Sequence, residues 1–575
     1  MKRLLSFIKP YRRWVIIAPL CMVVEVCCDL LQPTLMSNII DNGVATGDMG
    51  YILRTCLLMV GCAFLGILGG AGNMYFSVKA SYGFARDLRS AVYRKIQSFS
   101  FANIDKFSTG SLVTRTTNDV TQVQNAFTQV LGMLVRSPLL CIGGVAAVLM
   151  LNTRLSLIVL CTIPVLAVVI VILFKLTNPL FMQVQKKLDK VNVVMQENLA
   201  GIRVIKAFGR SAHEKQRFGQ ANDELTGINT KAMRNMSIAF PVVGLVMNVA
   251  MILMYWFGGR MVFAGNMQAG EIMAFTNYIT QILMSLTMSS FALMFLSRAA
   301  VSMQRVNKVL DTEPDILSGD DEHAYVKQGR VEFRDVSFSY PGQSGDPVLQ
   351  HISFTAEPGE TVAILGATGA GKSTLISLIP RLYDATGGEV LVDGVDVRQF
   401  NLKKLRAGIG VALQKSVLFT GAIADNLRWG DASAPSKLVE QAAEIAQAQP
   451  FIDESPDGYA TLLGQGGVNL SGGQKQRLSI ARALVKHPAI LILDDSTSAV
   501  DLATEAEIQR GLREVMGHMT VFIIAQRISS VMDADKIIVM ENGRIADIGK
   551  HAELKQRCDI YREIVVSQLG KEALD

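Results

Sequence analysis

The chain has 575 residues, half of them hydrophobic, and a formal net charge of +6. Its length exceeds one ordinary domain, and its basic residues form no continuous stripe, which argues against nucleic-acid binding. Apolar residues crowd the first three hundred or so positions and the rest is soluble in composition, so a membrane part joined to a soluble part is expected.

The N-terminal stretch MKRLLSFIKPYRR is basic and amphipathic, and the apolar run behind it is too long for a signal-peptide core. It is expected to lie along the cytoplasmic membrane surface. Six segments then reach the roughly 20 residues that a helical span requires. They fall at about 14–38, 52–78, 127–151, 155–176, 238–263 and 272–298. The short loops around Asp41–Gly50 and Asn152–Arg154 carry little positive charge. The long ones hold Arg86, Arg89, Arg94 and Lys95, then Lys186, Lys187, Lys190, Arg203, Lys206 and Arg210. Basic residues favour the cytoplasmic side, so both termini and the long segments are expected inside.

The long segments, 79–126 and 177–237, keep an apolar helical period and read as extensions of the spans. Thr109-Gly110 and Ala200-Gly201 within them are either docking turns or ordinary helix ends. Glu25 and Asp29 lie four residues apart on one face of the first span. A charge in the bilayer core costs at least ~2.5 kcal/mol. Such acids either line a cavity, as a site for cationic or polar cargo, or bond to another helix. Seven of the eight cysteines sit in the apolar half without a CxxC pair, which reads as small apolar filler.

Past the acidic, irregular stretch Asp311–Asp321, the pattern changes to short strands and turns. The expected division is a membrane domain over 1–310, a linker over 311–329 and a nucleotide-binding domain over 330–575. Thr361–Leu365 is a compact apolar strand that runs into Gly366-Ala-Thr-Gly-Ala-Gly-Lys-Ser373, followed by a helical pattern. This is the GxxxxGK[ST] phosphate loop in its strand–loop–helix setting. Gly366, Thr368, Gly369, Ala370, Gly371, Lys372, Ser373 and Thr374 are the expected nucleotide contacts. Lys372 should reach the β- and γ-phosphates, and the Ser373 hydroxyl should ligate Mg²⁺. A second strand, Ala489–Leu493, delivers Asp494 and Asp495 to its end. Asp494 is expected to hold Mg²⁺ through water and Asp495 to polarise the attacking water. Between these motifs, Ser471, Gly472, Gly473 and Gln474 open a helix and make a second anion site. Two such sites far apart in one chain suggest two ATP molecules sandwiched between two domains.

With LSGGQ at Leu470–Gln474 beside the phosphate loop, the chain resembles an exporter-type ABC half-transporter over nearly its whole length. The resemblance implies a six-span α-helical membrane bundle followed by an α/β P-loop ATPase domain, with ATP and Mg²⁺ as cofactors. Tyr340 resembles the aromatic that stacks on adenine, and Gln414 the glutamine that senses Mg²⁺ and couples to the membrane domain. Ser498–Asp501 is similar to the loop that communicates across the dimer. Thr109-Gly110…Thr117-Asn118-Asp119 and Glu197…Lys206 resemble the segments around the two coupling helices. A bacterial plasma membrane is implied as the location.

The sequence departs from this family at two positions. Asp495 stands where the family usually has glutamate, and Gln526 where it usually has histidine. Aspartate retracts its carboxylate by roughly 1.5 Å, and glutamine cannot become cationic near a γ-phosphate. Together these changes suggest a site that binds ATP and hydrolyses it poorly. An intact signature beside a damaged catalytic pair makes most sense if a different half-transporter completes a heterodimer, a pattern resembling the degenerate-site subunits of bacterial multidrug exporters. The expected cargo is an amphipathic small molecule, cations included, carried across a lipid bilayer. A lipid or peptide exporter half, and an ATP-switched regulatory membrane protein without transport, remain as alternatives.

Overall fold

The computed structural model describes residues 6–319, 321, 324–342, 345–515 and 519–570, except the side chains of 290, 291, 293, 294, 297 and 515. The chain forms two compact units, one of Met1–Gln97 with Thr109–Thr312, the other of Ser98–Ser108 with Glu313–Asp575.

The first unit is helical. Its long members are Arg12–Asn38, Met49–Gln97, Met133–Leu151, Thr153–Ala200, Ser211–Phe263 and Ala269–Asp311. At 1.5 Å per residue, the 49 residues of Met49–Gln97 extend about 73 Å, more than twice the ~30 Å apolar thickness of a bilayer. The polar residues beyond the spans therefore continue the same helices. Leu57, Val60, Phe64 and Ile67 are each more than 60% exposed, the outward apolar face that lipid demands and water would penalise.

Among the described residues, five helical stretches are long and apolar enough to cross a membrane: Lys9–Val44, Met49–Gln97, Thr109–Leu151, Thr153–Ala200 and Ser211–Phe263. The sixth expected segment, 272–298, lies inside the continuous helix Ala269–Asp311, where several side chains fall outside the described residues.

Several polar groups inside this bundle bond from one helix to another, which offsets the cost of burying them away from water. Asn73 Nδ2 donates to the carbonyls of Ala18 (2.8 Å) and Leu131 (3.1 Å), tying three helices. Arg136, on Met133–Leu151, reaches across to the first span, with Nη1 2.8 Å from Glu25 Oε1 and Nη2 2.8 Å from Asp29 Oδ2. The bond to another helix is realised, and the two carboxylate side chains keep 14% and 37% of their surface accessible. Further along the chain, Asp119 is buried at the end of a π-helical turn, Arg115–Asp119, and accepts a 2.7 Å hydrogen bond from Ser302.

The second unit is α/β. Its strands are β1 (Val331–Phe338), β2 (Leu349–Ala356), β3 (Thr361–Gly366), β4 (Gly387–Val392), β5 (Val395–Asp396) and β6 (Ile409–Ala412). They continue with β7 (Gly421–Ala422), β8 (Leu462–Leu463), β9 (Ile490–Asp494), β10 (Thr520–Ile524), β11 (Lys536–Glu541) and β12 (Arg544–Gly549). An antiparallel sheet of order β2-β1-β4-β5 packs beside a six-stranded sheet of order β12-β11-β3-β10-β9-β6. In the larger sheet β11, β3, β10, β9 and β6 run parallel. Parallel strands covered on both faces read as unbroken apolar runs, and Val362–Leu365 and Ile490–Leu493 are buried throughout. The shared direction brings the C-terminal ends of β3, β9 and β10 to one edge, where open α/β sheets bind ligands.

The short helix Phe101–Lys106 belongs to this second unit. Ser100 and Asn103 form a capping box at its start. Tyr383 donates 2.7 Å to Asp105, Asn103 Nδ2 donates to the Glu313 carbonyl, and Lys106 pairs with Asp315 at 3.3 Å. The first docking turn expected at Thr109-Gly110 is thus displaced. Thr109 and Gly110 begin the next helix, Thr109–Thr114, and the docked element ends three residues before them. The second turn falls at Ala200-Gly201, followed by the exposed short helix Ile202–Ala207.

The Arg136 fork yields a stability test. Arg136→Met alone strands two carboxylates in an apolar bundle and is expected to cost about 2–3 kcal/mol. Adding Glu25→Gln and Asp29→Asn removes the stranded charges and should recover much of that loss. Thermal unfolding of the variants in one detergent gives the ranking. A triple variant less stable than Arg136→Met would mean that the acids are solvated independently of the arginine.

Candidate nucleotide-binding site

The phosphate loop owes its shape to backbone that other residues resist. Gly366 has φ of +150° and Gly371 of +93°, the side of conformational space where a Cβ is strained. A Cβ on Gly366 would also stand 2.2 Å from the Met540 carbonyl of β11, so the loop is pressed against the neighbouring strand. The helix Lys372–Ser377 follows at once.

Lys372 Nζ donates to the Gly366 (2.8 Å) and Ala367 (2.9 Å) carbonyls, fastening the loop across its mouth. Burial draws its ammonium below the usual lysine range, while Asp495 and Asp494 act the other way. Ser373 Oγ donates 2.9 Å to Asp494 Oδ1 at the end of β9. Burial pushes the Asp494 carboxyl up, the Ser373 bond pulls it down, Asp495 adds to the rise, and Lys372 opposes it.

Asp495 follows β9 with φ of +47°, a left-handed conformation unusual outside glycine and typical of functional positions. Its own N–H donates to the Ile524 carbonyl at 2.9 Å. Its Oδ2 accepts from two amides, Gln526 Nε2 at 2.7 Å and Gln414 Nε2 at 3.3 Å. The side chains named separately by the sequence therefore converge. Gly366, Thr368, Gly369, Gly371, Lys372, Ser373, Thr374, Gln414, Asp494, Asp495 and Gln526 line one cavity of about 820 Å³.

Five expected contacts and the aromatic are placed elsewhere. Ala370 turns its methyl into the core at 4% exposure, and its N–H is taken by the Ala367 carbonyl. Tyr340 is not a wall of this cavity. Its hydroxyl meets Thr374 Oγ1 at 2.9 Å, and its ring sits edge-on to Phe338 and Tyr383. Ser471, Gly472, Gly473 and Gln474 also lie outside it. Ser471 and Gln474 form a capping box at the start of the helix Gly472–Val485.

The donor set fits a magnesium nucleotide. Ser373 and Asp494 offer hard oxygens side by side, the ligand type that Mg²⁺ takes. The buried Asp494, whose charged form burial disfavours, is the group a hard cation would relieve. Ser373 and Asp494 would hold the metal, which when bound neutralises charge on the phosphate oxygens. The loop amides and Lys372 would grip the phosphates.

Two residues passed over by sequence reasoning shape the site. Gln476 donates to the Asp495 carbonyl (3.4 Å) and Ser498 Oγ (3.0 Å), and accepts from the Ala499 N–H (2.8 Å). Gln568, on the last helix Asp559–Leu569, donates 2.7 Å to the Gln526 carbonyl and accepts 2.7 Å from the Ile528 N–H. One carboxamide thus bridges the backbone from Gln526 to Ile528 across Arg527. No motif marks it, since the pairing spans 42 residues. Gln568→Ala should leave the fold intact and speed amide exchange of Ile528 about five- to tenfold, the worth of one hydrogen bond. Exchange mass spectrometry over 524–530 reads this, and unchanged protection would show that the clamp carries no stability.

Comparison with known proteins agrees with this geometry. Residues 15–286 match the ABC transporter transmembrane region, and residues 349–498 match the ABC transporter family. An uncharacterized ABC transporter ATP-binding protein of Bacillus subtilis is 41% identical over 575 residues, covering 100% of this chain and 99% of its own length. An ATP-dependent lipid A-core flippase of Aromatoleum aromaticum is 34% identical, covering 99% of this chain and 96% of its own. The structure of a bacterial Atm1-family ABC exporter with ATP bound superposes with a TM-score of 0.81 at 26% identity, over 97% of this chain and 98% of that one. The chain belongs to the ABC transporters, as an exporter half in which a membrane-spanning domain is fused to an ATP-hydrolysing domain.

Proposed function

We propose that this chain is the slow-site half of a heterodimeric exporter in a bacterial plasma membrane, with both termini cytoplasmic. The observation that carries the reading is the state of Asp495. Its carboxylate is a methylene shorter than glutamate, and its outer oxygen accepts from both Gln526 and Gln414. A general base must reach the proton it removes. Here two amide donors compete for the lone pairs that would do so, and both amides stay neutral at every physiological pH. The chain's own phosphate loop would grip ATP with little turnover. Its Ser471–Gln474 turn, exposed and outside its own cavity, is free to complete the phosphate loop of a partner that does cleave.

Transport then follows by alternating access. Closure of the two ATPase domains moves the helices that dock on them, the membrane cavity opens to the far side, and hydrolysis at the partner's competent site resets it. The cargo is an amphipathic small molecule, cations included. The cluster sets two carboxylates, Glu25 and Asp29, against the one guanidinium of Arg136, which supports cation tolerance. A lipid cargo is the second reading, favoured by the relative named as a lipid A-core flippase.

ATPase assays test the site. The purified chain alone should turn ATP over slowly, and Asp495→Glu with Gln526→His should raise the rate at least tenfold, toward the share a positioned base supplies. Brisk hydrolysis by the unaltered lone chain would overturn the proposal. Cargo is tested in vesicles with the co-expressed partner. Glu25→Gln with Asp29→Asn should cut export of a cationic dye several-fold and spare a neutral amphipath. Undiminished dye export would take the two acids out of the cargo path.

A further inference from the structure

Two arginines at one end of the membrane unit stand apart from the paired charges inside it. Arg154 lies in the first turn of the helix Thr153–Ala200, and Arg260 in the last turn of Ser211–Phe263. Both line a cavity of about 460 Å³ where these two helix ends meet. Among the described residues no side chain pairs with either guanidinium, and no acid lines the cavity. This is the end that carries the short turns at 39–48, 152 and 264–268, away from the basic long segments. Arginine is disfavoured at that end by the usual charge bias of membrane proteins.

The local field sharpens the mismatch. Asn152 Oδ1 already caps the helix by accepting from the Arg154 and Leu155 amides. The positive end of the helix dipole therefore adds to the Arg154 charge and does not offset it. Arg260 sits in the last turn of its own helix, whose negative end offsets part of its charge, so Arg154 carries the larger unmet charge; two guanidinium groups around one hollow call for an anion. The rest of the lining says what else that anion carries. Leu155, Ile158, Phe257 and Met261 form an apolar wall below the arginines. The neighbouring faces are built for lipid, with Leu157 60% and Trp256 66% exposed, the latter an interfacial aromatic.

We infer that this cavity is a binding site for an anionic phospholipid of the surrounding leaflet. The phosphate headgroup is held in the forks of Arg154 and Arg260, and an acyl chain lies along Leu155, Ile158, Phe257 and Met261. Planar guanidinium groups suit phosphate oxygens by paired, charge-assisted hydrogen bonds. The site anchors the ends of the fourth and fifth spans to the bilayer surface. It is independent of cargo and of the state of the ATP site.

Native mass spectrometry of the full-length protein in neutral detergent tests this, with phosphatidylglycerol or phosphatidylcholine of matched chains added. The wild-type protein should retain phosphatidylglycerol in preference. Arg154→Gln with Arg260→Gln should weaken its tightest phosphatidylglycerol binding roughly thirtyfold, at about a factor of five per surface arginine, and leave phosphatidylcholine binding unchanged. Arg154→Lys with Arg260→Lys, which keeps both charges, should retain most of the binding and controls for misfolding. Equal retention of the two lipids by the wild type, or undiminished phosphatidylglycerol binding by the glutamine pair, would overturn the site. Full displacement by millimolar inorganic phosphate would show a simple anion site and overturn the lipid assignment.

Discussion

The cavity end of the ATPase domain is knit together around one residue, Asp495, through its backbone and its carboxylate. Asp495 is fixed at three depths. Its backbone is held in a left-handed conformation and tied to β10 through Ile524. Its carbonyl is held by Gln476, which also spans the turn to Ser498 and Ala499. Its side-chain oxygen is held by Gln526 and Gln414. Strained backbone of this sort persists only where surrounding bonds over-determine it. The consequence is a carboxylate with little freedom to swing outward.

Sequence reasoning read this region well because most of its instructions are local. A strand, a glycine loop and a helix in succession define the phosphate loop, since only backbone without Cβ can take those angles beside β11. The pairing of Ser373 with Asp494 follows from two strands ending at one sheet edge. What the sequence concealed is non-local. Gln568 bonds across 42 residues to a loop it resembles in no way, and nothing in an amphipathic terminal helix distinguishes that glutamine from its neighbours. Tyr340 shows the converse. Its position in the motif is legible, yet its hydroxyl bond to Thr374 and its edge-on packing on Tyr383 depend on tertiary placement.

In the membrane unit the apolar segments were legible from length alone, because a bilayer imposes a minimum span. The docked helix Phe101–Lys106 lies ahead of the turn that the glycine at 110 suggests, because its start is set by a capping box and not by a glycine. Ser100 and Asn103 satisfy each other's backbone donors there, a local device that does not need glycine. The partner of Glu25 and Asp29 was beyond reach for a different reason. Which residue of the third span faces the first depends on the rotation of both helices, and periodicity alone does not fix that rotation.

The charges of this unit sort by how much water each can reach. Deep in the bundle, Glu25 and Asp29 share one arginine, for a carboxylate without a partner in hydrocarbon is too costly to keep. The fork geometry matters as much as the sign, since Arg136 serves both acids at 2.8 Å with separate nitrogens, which a lysine point charge would not do. At the helix ends the constraint relaxes, because an arginine there can extend its head toward water. Arg154 and Arg260 use that freedom without drawing any carboxylate among the described residues to themselves, in a place where the helix dipole opposes one of them. The acids of the first span are therefore matched by an arginine of the chain itself, and the two rim arginines are left to be matched by what surrounds them. A membrane protein can leave a cation unpaired at its boundary because the bilayer itself supplies anions there.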